Sequence, residues 1–395
     1  MSVTFGIEEE FVLLDRTRLE PVDLGPVAVG ELSRDRRDVA EAVVHEFFAS
    51  QLEYASPVLT GFADAWDAVS GFRRRLAAWA DAAGVIAAGT GTPFRASAHS
   101  ALTRDERYTR IAHDIGGLAA EHQINGMHVH VGIPDRDVGV RISNGLRPWL
   151  PVLVALSANS PFWQGADTGF ASWRTIHSRR WTTYGIPPLF RDVADYDHAV
   201  ASLRGLGATS DPGTINWNIR LSRRLPTVEV RVCDAQLDPA STVALALLVR
   251  GLAAAAAADA PILFDATPWD AALWHAARHG LGAGLLHPLS GLPSTATAVL
   301  HDLHARVRPH LADDAEREAV ERFLSSAAAP GAGASRQRAA LRRGRAALGE
   351  LYRTGLVGDE PTSRAGGGAL RGLSTPSGMT SPVRVVAAGH GGDAA

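Results

Sequence analysis

Lysine is absent from this chain of 395 residues, so all 39 of its basic residues are arginines. A lysine nucleophile, a Schiff base and a P-loop lysine are thereby excluded. Any phosphate bound here must be neutralised by arginine or by a metal. Cysteine is nearly absent. The single Cys233 cannot form an intrachain disulfide, which fits a reducing compartment and a cytoplasmic protein. There is no Gly-rich dinucleotide fingerprint, and the N-terminus has no basic region followed by an apolar run, so no signal peptide is expected. The most apolar stretch, 243–258, is interrupted by Arg250 and rich in alanine. It reads as a buried helix, too short and too weakly apolar for a membrane span. A net charge of −3 gives no support to nucleic-acid or anionic-membrane binding.

What is present begins with Thr4-Phe5-Gly6-Ile7-Glu8-Glu9-Glu10-Phe11-Val12-Leu13-Leu14. It reads as a strand that carries three adjacent carboxylates. Alternation puts Phe5, Ile7, Phe11 and Leu13 on one face, interrupted by Glu9, and Gly6, Glu8 and Glu10 on the other. Two like charges on one side of a buried strand need protons or a cation, and paired oxygens favour Mg²⁺, Mn²⁺ or Ca²⁺. An acidic edge strand facing water is the other reading.

Four further segments carry chemistry. In Asn125-Gly126-Met127-His128-Val129-His130 the two histidines share one strand face, a metal-ligand spacing that two satisfied core histidines would share. In 227–234, Val228, Val230 and Val232 form an apolar face, and Glu229, Arg231 and Cys233 the opposite one. Glu229 and Arg231 form either a structural ion pair or a metal ligand beside a phosphate-facing cation. Asn216, Asn218 and Arg220 lie in register on the preceding strand. Glu46 and Glu53 sit among apolar residues in 45–57, seven apart, which is one face of a helix but opposite faces of an unbulged strand. In 173–185, arginines alternate with tryptophans and could clamp a phosphate or simply pack a loop.

Periodicity predicts helices over 62–83, 102–122, 138–157 (kinked or split by Pro148 and Pro151), 195–205, 239–258, 268–280, 293–311, 313–327 and 335–354. Strands are predicted over 4–14, 45–56, 85–88, 123–133, 214–221 and 227–232, the last two as a hairpin. The fold class is α+β, with a largely antiparallel sheet and a helical C-terminal half. Residues 1–357 are expected to form one domain, and 358–395 a disordered tail poor in large apolar groups.

The ordered set of motifs resembles the carboxylate–amine ligases of the glutamate–cysteine ligase type 2 group, from about residue 4 to 355. The matching residues are Gly6 to Phe11, Glu46 to Pro57, Asn125 to His130, Arg179-Arg180-Trp181 with Tyr184-Gly185, and Val228 to Arg231. Ala277 to Leu281 and Gly333 to Arg338 also match. The resemblance implies a glutamine-synthetase-like sheet that binds ATP and Mg²⁺. It implies transfer of the γ-phosphoryl group to a substrate carboxylate, and attack of an amine on the acyl phosphate. Carried across by motif, Glu8, Glu10, Glu46, Glu53, His128 and Glu229 are the metal-ligand candidates. Glu229 and Arg231 are the catalytic candidates. Arg179, Arg180, Asn218 and Arg220 are nucleotide or substrate contacts. The partners are then an amino-acid carboxylate and an amine, with a homodimer compatible. A metal-dependent hydrolase and a catalytically silent nucleotide-binding homologue are the competing readings.

Overall fold

The computed structural model describes residues 3–34, 42–96, 100–209, 212–259, 267–328 and 332–358, and eleven strands lie among them, the last two being the short pair Leu285–Leu286 and Pro293–Ser294, with the other nine before them. Those nine are β1 (Phe5–Asp15), β2 (Ala42–His45), β3 (Gln51–Ala55), β4 (Val85–Ala88), β5 (Gly126–Gly132), the short pair β6 (Phe162–Trp163) and β7 (Ala166–Asp167), β8 (Ile219–Leu221) and β9 (Thr227–Asp234). The main sheet runs β2-β3-β1-β5-β9-β8, with β4 also on β1, and every pairing in it is antiparallel. The predicted tail lies outside the described residues, Gly358 excepted.

β1 is long because it serves two cores. Phe5 and Ile7 pack with Val129, Val131 and Val230 against the helices Arg136–Leu146, Leu150–Ser157 and Pro239–Ala258. Phe11 and Leu13 enter a second cluster with Leu52 and Phe72. Glu9 interrupts this apolar face, and the fold answers it with Arg73 from helix Phe62–Ala82. The guanidinium donates to both carboxylate oxygens, at 3.1 and 2.5 Å, and Thr242 Oγ1 donates to Oε1 at 2.6 Å. Leaving either charge of such a buried pair alone costs about 3–5 kcal/mol. On the opposite face Gly6, Glu8 and Glu10 are followed by Val12 and Leu14, which pack with Ile86, Phe94 and Tyr352.

The helices largely follow their periodicity, and the breaks have physical causes. The 138–157 segment splits at Pro148 and Pro151 into two α-helices joined by a 3₁₀ turn, Arg147–Trp149. The helix predicted over 335–354 is two, Gly333–Arg342 and Arg345–Val357, parted at Gly344, whose φ of +113° suits glycine. The strand predicted over 214–221 shortens to β8, because Pro212–Thr214 is a 3₁₀ turn. At 20 residues Pro239–Ala258 is long and apolar enough to span a bilayer, contrary to the sequence expectation, but most of it is buried inside the protein.

One irregularity decides the chemistry of β9. Val129 pairs with Val230, but Met127 pairs with Cys233, so Arg231 and Val232 together face His128. This β-bulge flips the alternation beyond it. Cys233 therefore joins the apolar core with Met127 and does not share the face of Glu229 and Arg231 that simple alternation gives it. Burial pushes its thiol up to about 12.

Candidate active site

The sheet face opposite the helices gathers the acids. Register places Gly6 opposite His130, Glu8 opposite His128, Glu10 opposite Glu53, His130 opposite Glu229 and Arg220 opposite Glu229. Four strands thus bring Glu8, Glu10, Glu53, His128, His130 and Glu229 together because each pairing preserves the side from which they project. Glu46 arrives differently. The predicted strand over 45–56 is broken after His45, and a turn over residues 46–50 separates β2 from β3. That turn removes the parity argument and lets Glu46 approach Glu10.

His128 lies at the centre. Its Nδ1 is 3.0 Å from Glu8 Oε2 and 3.9 Å from Glu229 Oε1, and its Nε2 is 3.8 Å from Glu10 Oε1. Donor atoms of Glu8, His128 and Glu229 all lie within 4.8 Å of one another, as do those of Glu10, Glu53 and His128. Burial, and then Arg231, lower the pKa of His128, so the ring is neutral and free to ligate. His130 stands to one side, with Nδ1 2.9 Å from Thr227 Oγ1 and Nε2 3.1 Å from Glu8 Oε1. Burial opposes its charge, yet Glu8 and Glu229 hold its pKa above the usual value.

The carboxylates divide into two electrostatic groups. Burial works against the charge of Glu229, but Arg231 and Arg220 on either side hold its pKa low. Arg220 donates from Nε and Nη2 at 2.8 and 3.2 Å, and Arg231 donates from Nη1. Burial likewise opposes the charge of Glu8, but hydrogen bonds from His128 and His130 hold its pKa well down. Around Glu53 and Glu46, burial and neighbouring acids outweigh the nearby arginines. Burial, and then Glu8, Glu46 and Glu10, push Glu53 well up, while burial and Glu10 push Glu46 to about 8. Buried carboxylates crowded in this way are what a divalent cation relieves. An oxygen-rich donor set with one neutral imidazole suits Mg²⁺ or Mn²⁺. Glu46 stands outside both tight donor sets and accepts from Tyr108 Oη at 3.2 Å.

A cavity of about 130 Å³ opens beside the cluster, lined by Glu10, Glu46, His128 and Arg231 among others. Asn218 lies in its wall, 1% exposed, with neither amide atom hydrogen-bonded. Arg220 is not in that wall but completes the Glu229 network, anchored by the carbonyls of Gly213 and Ile215 at 2.7 and 2.9 Å. Arg179 and Arg180 do not line this cavity. The first is paired with Asp270, and the second with Glu121 and the His177 ring.

Most of the wall has no role assigned from the sequence, and four of its polar residues bear on the chemistry. Tyr108 and Arg107 sit on helix Glu106–Ile115, whose polar surface gives no local sign of a site. Gln51 donates to Asn125 Oδ1 at 2.7 Å and lines the same wall. Arg174, 6% exposed, sends Nη2 and Nη1 to the carbonyls of Arg231 and Val232 at 3.1 and 3.3 Å. It holds the β9 bulge and so the aim of Arg231. Its place in the Trp- and Arg-rich motif was the available signal.

Relatives carry the same framework. A protein of Salinispora arenicola assigned as glutamate–cysteine ligase 2 is 38% identical over 353 residues, covering 87% of this chain and 91% of that one. A Saccharopolyspora erythraea protein assigned as glutamate–cysteine ligase 2-1 is 38% identical over 378 residues, covering 95% and 98%. Among solved structures, the glutamate–cysteine ligase of Francisella tularensis in complex with AMP superposes with a TM-score of 0.66 at 13% identity, covering 89% of this chain and 88% of that one. A bifunctional glutathione synthetase of Pasteurella multocida gives 0.60 at 16% identity, with 89% of this chain matching 52% of that one. The profile of glutamate–cysteine ligase family 2 matches residues 4–356. The chain belongs to that family, and with it to the ATP-dependent ligases that form carbon–nitrogen bonds.

Proposed function

We propose that this protein activates the carboxylate of a small amino acid with ATP and joins it to an amine through an acyl phosphate. The observation that carries this reading is the convergence of Glu8, Glu10, Glu53, His128 and Glu229 on one sheet face, flanked by Arg231 and Arg220, in a chain without lysine. Phosphoryl transfer asks for positioning and charge neutralisation, not for a protein nucleophile.

In the first step a carboxylate oxygen of the acid attacks the γ-phosphorus. The bond to the β,γ-bridging oxygen breaks and ADP leaves with that electron pair. In the second step the amine nitrogen attacks the acyl carbon, the C–O bond to phosphate breaks, and the departing phosphate takes the surplus proton. Mg²⁺ bound by the two donor sets would supply charge neutralisation for the nucleotide's phosphates. Arg231 faces the transferred group, and Glu229 fixes the direction of its guanidinium. Arg174 holds the backbone from which Arg231 projects. The amide of Asn218, buried and unpaired, is oriented for a polar substrate group.

The test is a screen of amino-acid and amine pairs for coupled ADP release, with mass spectrometry of the product. Release that requires both an acid and an amine supports the ligase. Metal-dependent hydrolysis without nucleotide, or ATP binding with no turnover under any pair, overturns it.

A further inference from the structure

A second cavity of about 170 Å³ adjoins the first, and the two share Ile111, His122, Trp181 and Thr214 as common wall. Ile115, Leu118 and Ala208 add an apolar part to its remaining surface, and Asp114, Thr182 and Thr209 a polar rim. Its cation, Arg180, is already engaged by Glu121 and His177. Two of the shared residues touch each other, with Trp181 Nε1 donating to the His122 ring at 2.9 Å and ring centres 4.7 Å apart. No residue of this second space belongs to the acid cluster.

The first cavity is chemically divided. Arg174, Arg231, Asn216 and Asn218 offer cations and amides on one side, which suits the acid substrate. Phe47, Tyr108, Ile111 and Trp181 form the aromatic and apolar part of the lining, with Arg107 beside them, and Ile111 and Trp181 continue into the second space. Tyr108 and Ile111 are three apart on helix Glu106–Ile115 and so share a face. An amine that reaches the acyl carbon along this wall has its body directed away from the acids. An apolar cavity of about 150 Å³ accommodates a benzene molecule. Cysteine's side chain would leave most of the second space empty.

We infer that the second cavity seats the body of the amine substrate, and that this amine carries an apolar group about the size of a six-membered ring, not a thiol. The inference rests on the ligase reading for the word amine, but not for the binding itself. Trp181 then packs against the bound group, with Ile115 and the exposed Leu118 along its outer wall.

The experiment is calorimetric titration of the full-length protein, in Mg²⁺ and ADP, with L-phenylalanine and with L-cysteine. Phenylalanine is expected to bind at least about tenfold more tightly. Ala208→Phe and Ile115→Trp, each filling the cavity from a different wall, are expected to bring its affinity down to that of cysteine. Cysteine binding as tightly as phenylalanine overturns the inference, as does a preference that survives in both variants. A parallel ADP-release assay separates the two readings. Phenylalanine bound while no acid–amine pair releases ADP sinks the ligase and leaves the cavity assignment standing. ADP release with cysteine and no phenylalanine binding does the reverse.

Discussion

Glu10 and Glu53 stand directly opposite each other on adjacent strands, two carboxylates in one cross-strand pair. Like charges so placed destabilise a sheet by up to about 1 kcal/mol. Glu53→Gln is therefore expected to raise the stability of the metal-free protein by about that amount, a shift of about 2 °C in Tm. It should also reduce the stabilisation that Mg²⁺ confers and abolish Mg²⁺-supported turnover. Thermal melts with and without Mg²⁺ check this. An equal Mg²⁺ increment in both proteins would remove Glu53 from the metal site.

The same crowding sets a pH dependence. The pKa of Glu46 rises from 4.5 to about 8 on folding, and that of Glu53 rises as well. The folded, metal-free protein thus holds protons that the unfolded chain releases. Its stability from these groups is full below pH 4.5 and falls as pH rises through about 8. A cation replaces those protons. The Mg²⁺ increment in denaturant melts is expected to be larger at pH 8 than at pH 5.5, and a constant increment would contradict the account.

Arg174 positions Arg231 through the bulge carbonyls. Arg174→Lys keeps the charge but cannot serve two carbonyls and a cavity wall at once. Turnover is expected to fall about 10–100-fold. The readout that separates positioning from general damage is Mg²⁺ binding by calorimetry, which should stay near wild type because Arg174 touches no acid of the cluster. Loss of both together would assign Arg174 a purely structural role.

Cys233 packs with Met127 in the core, its thiol pushed up to about 12. Thiol-alkylating reagents are expected to leave turnover unchanged, and Cys233→Ala should retain it with a stability loss of about 1 kcal/mol. Inactivation by brief alkylation of the folded protein would place the thiol nearer the chemistry than the bulge allows.

Much of the site was legible because strands repeat every two residues. Glu8 with Glu10, and His128 with His130, could be assigned to one face from spacing alone, and the structure keeps them there. The same rule failed for Cys233, since a bulge adds a residue that no local pattern announces. It was silent on Glu46, whose approach to Glu10 depends on a turn between two strands. Tyr108, Arg107 and Gln51 reach the cavity through tertiary packing, which periodicity does not encode. Arg179 and Arg180 show the opposite case. Their motif drew attention, but their guanidiniums are bound to Asp270 and to Glu121 and His177. The helix break at Gly344 was hidden because glycine is tolerated in helices until its φ is known.

The most direct test of the whole account is oxygen transfer. An acid that supports ADP release, labelled with ¹⁸O in its carboxylate, is incubated with ATP, Mg²⁺ and the amine, and the phosphate is analysed by mass spectrometry. Acyl-phosphate chemistry predicts one labelled oxygen in each phosphate released. Phosphate free of label, alongside formed amide, would contradict it.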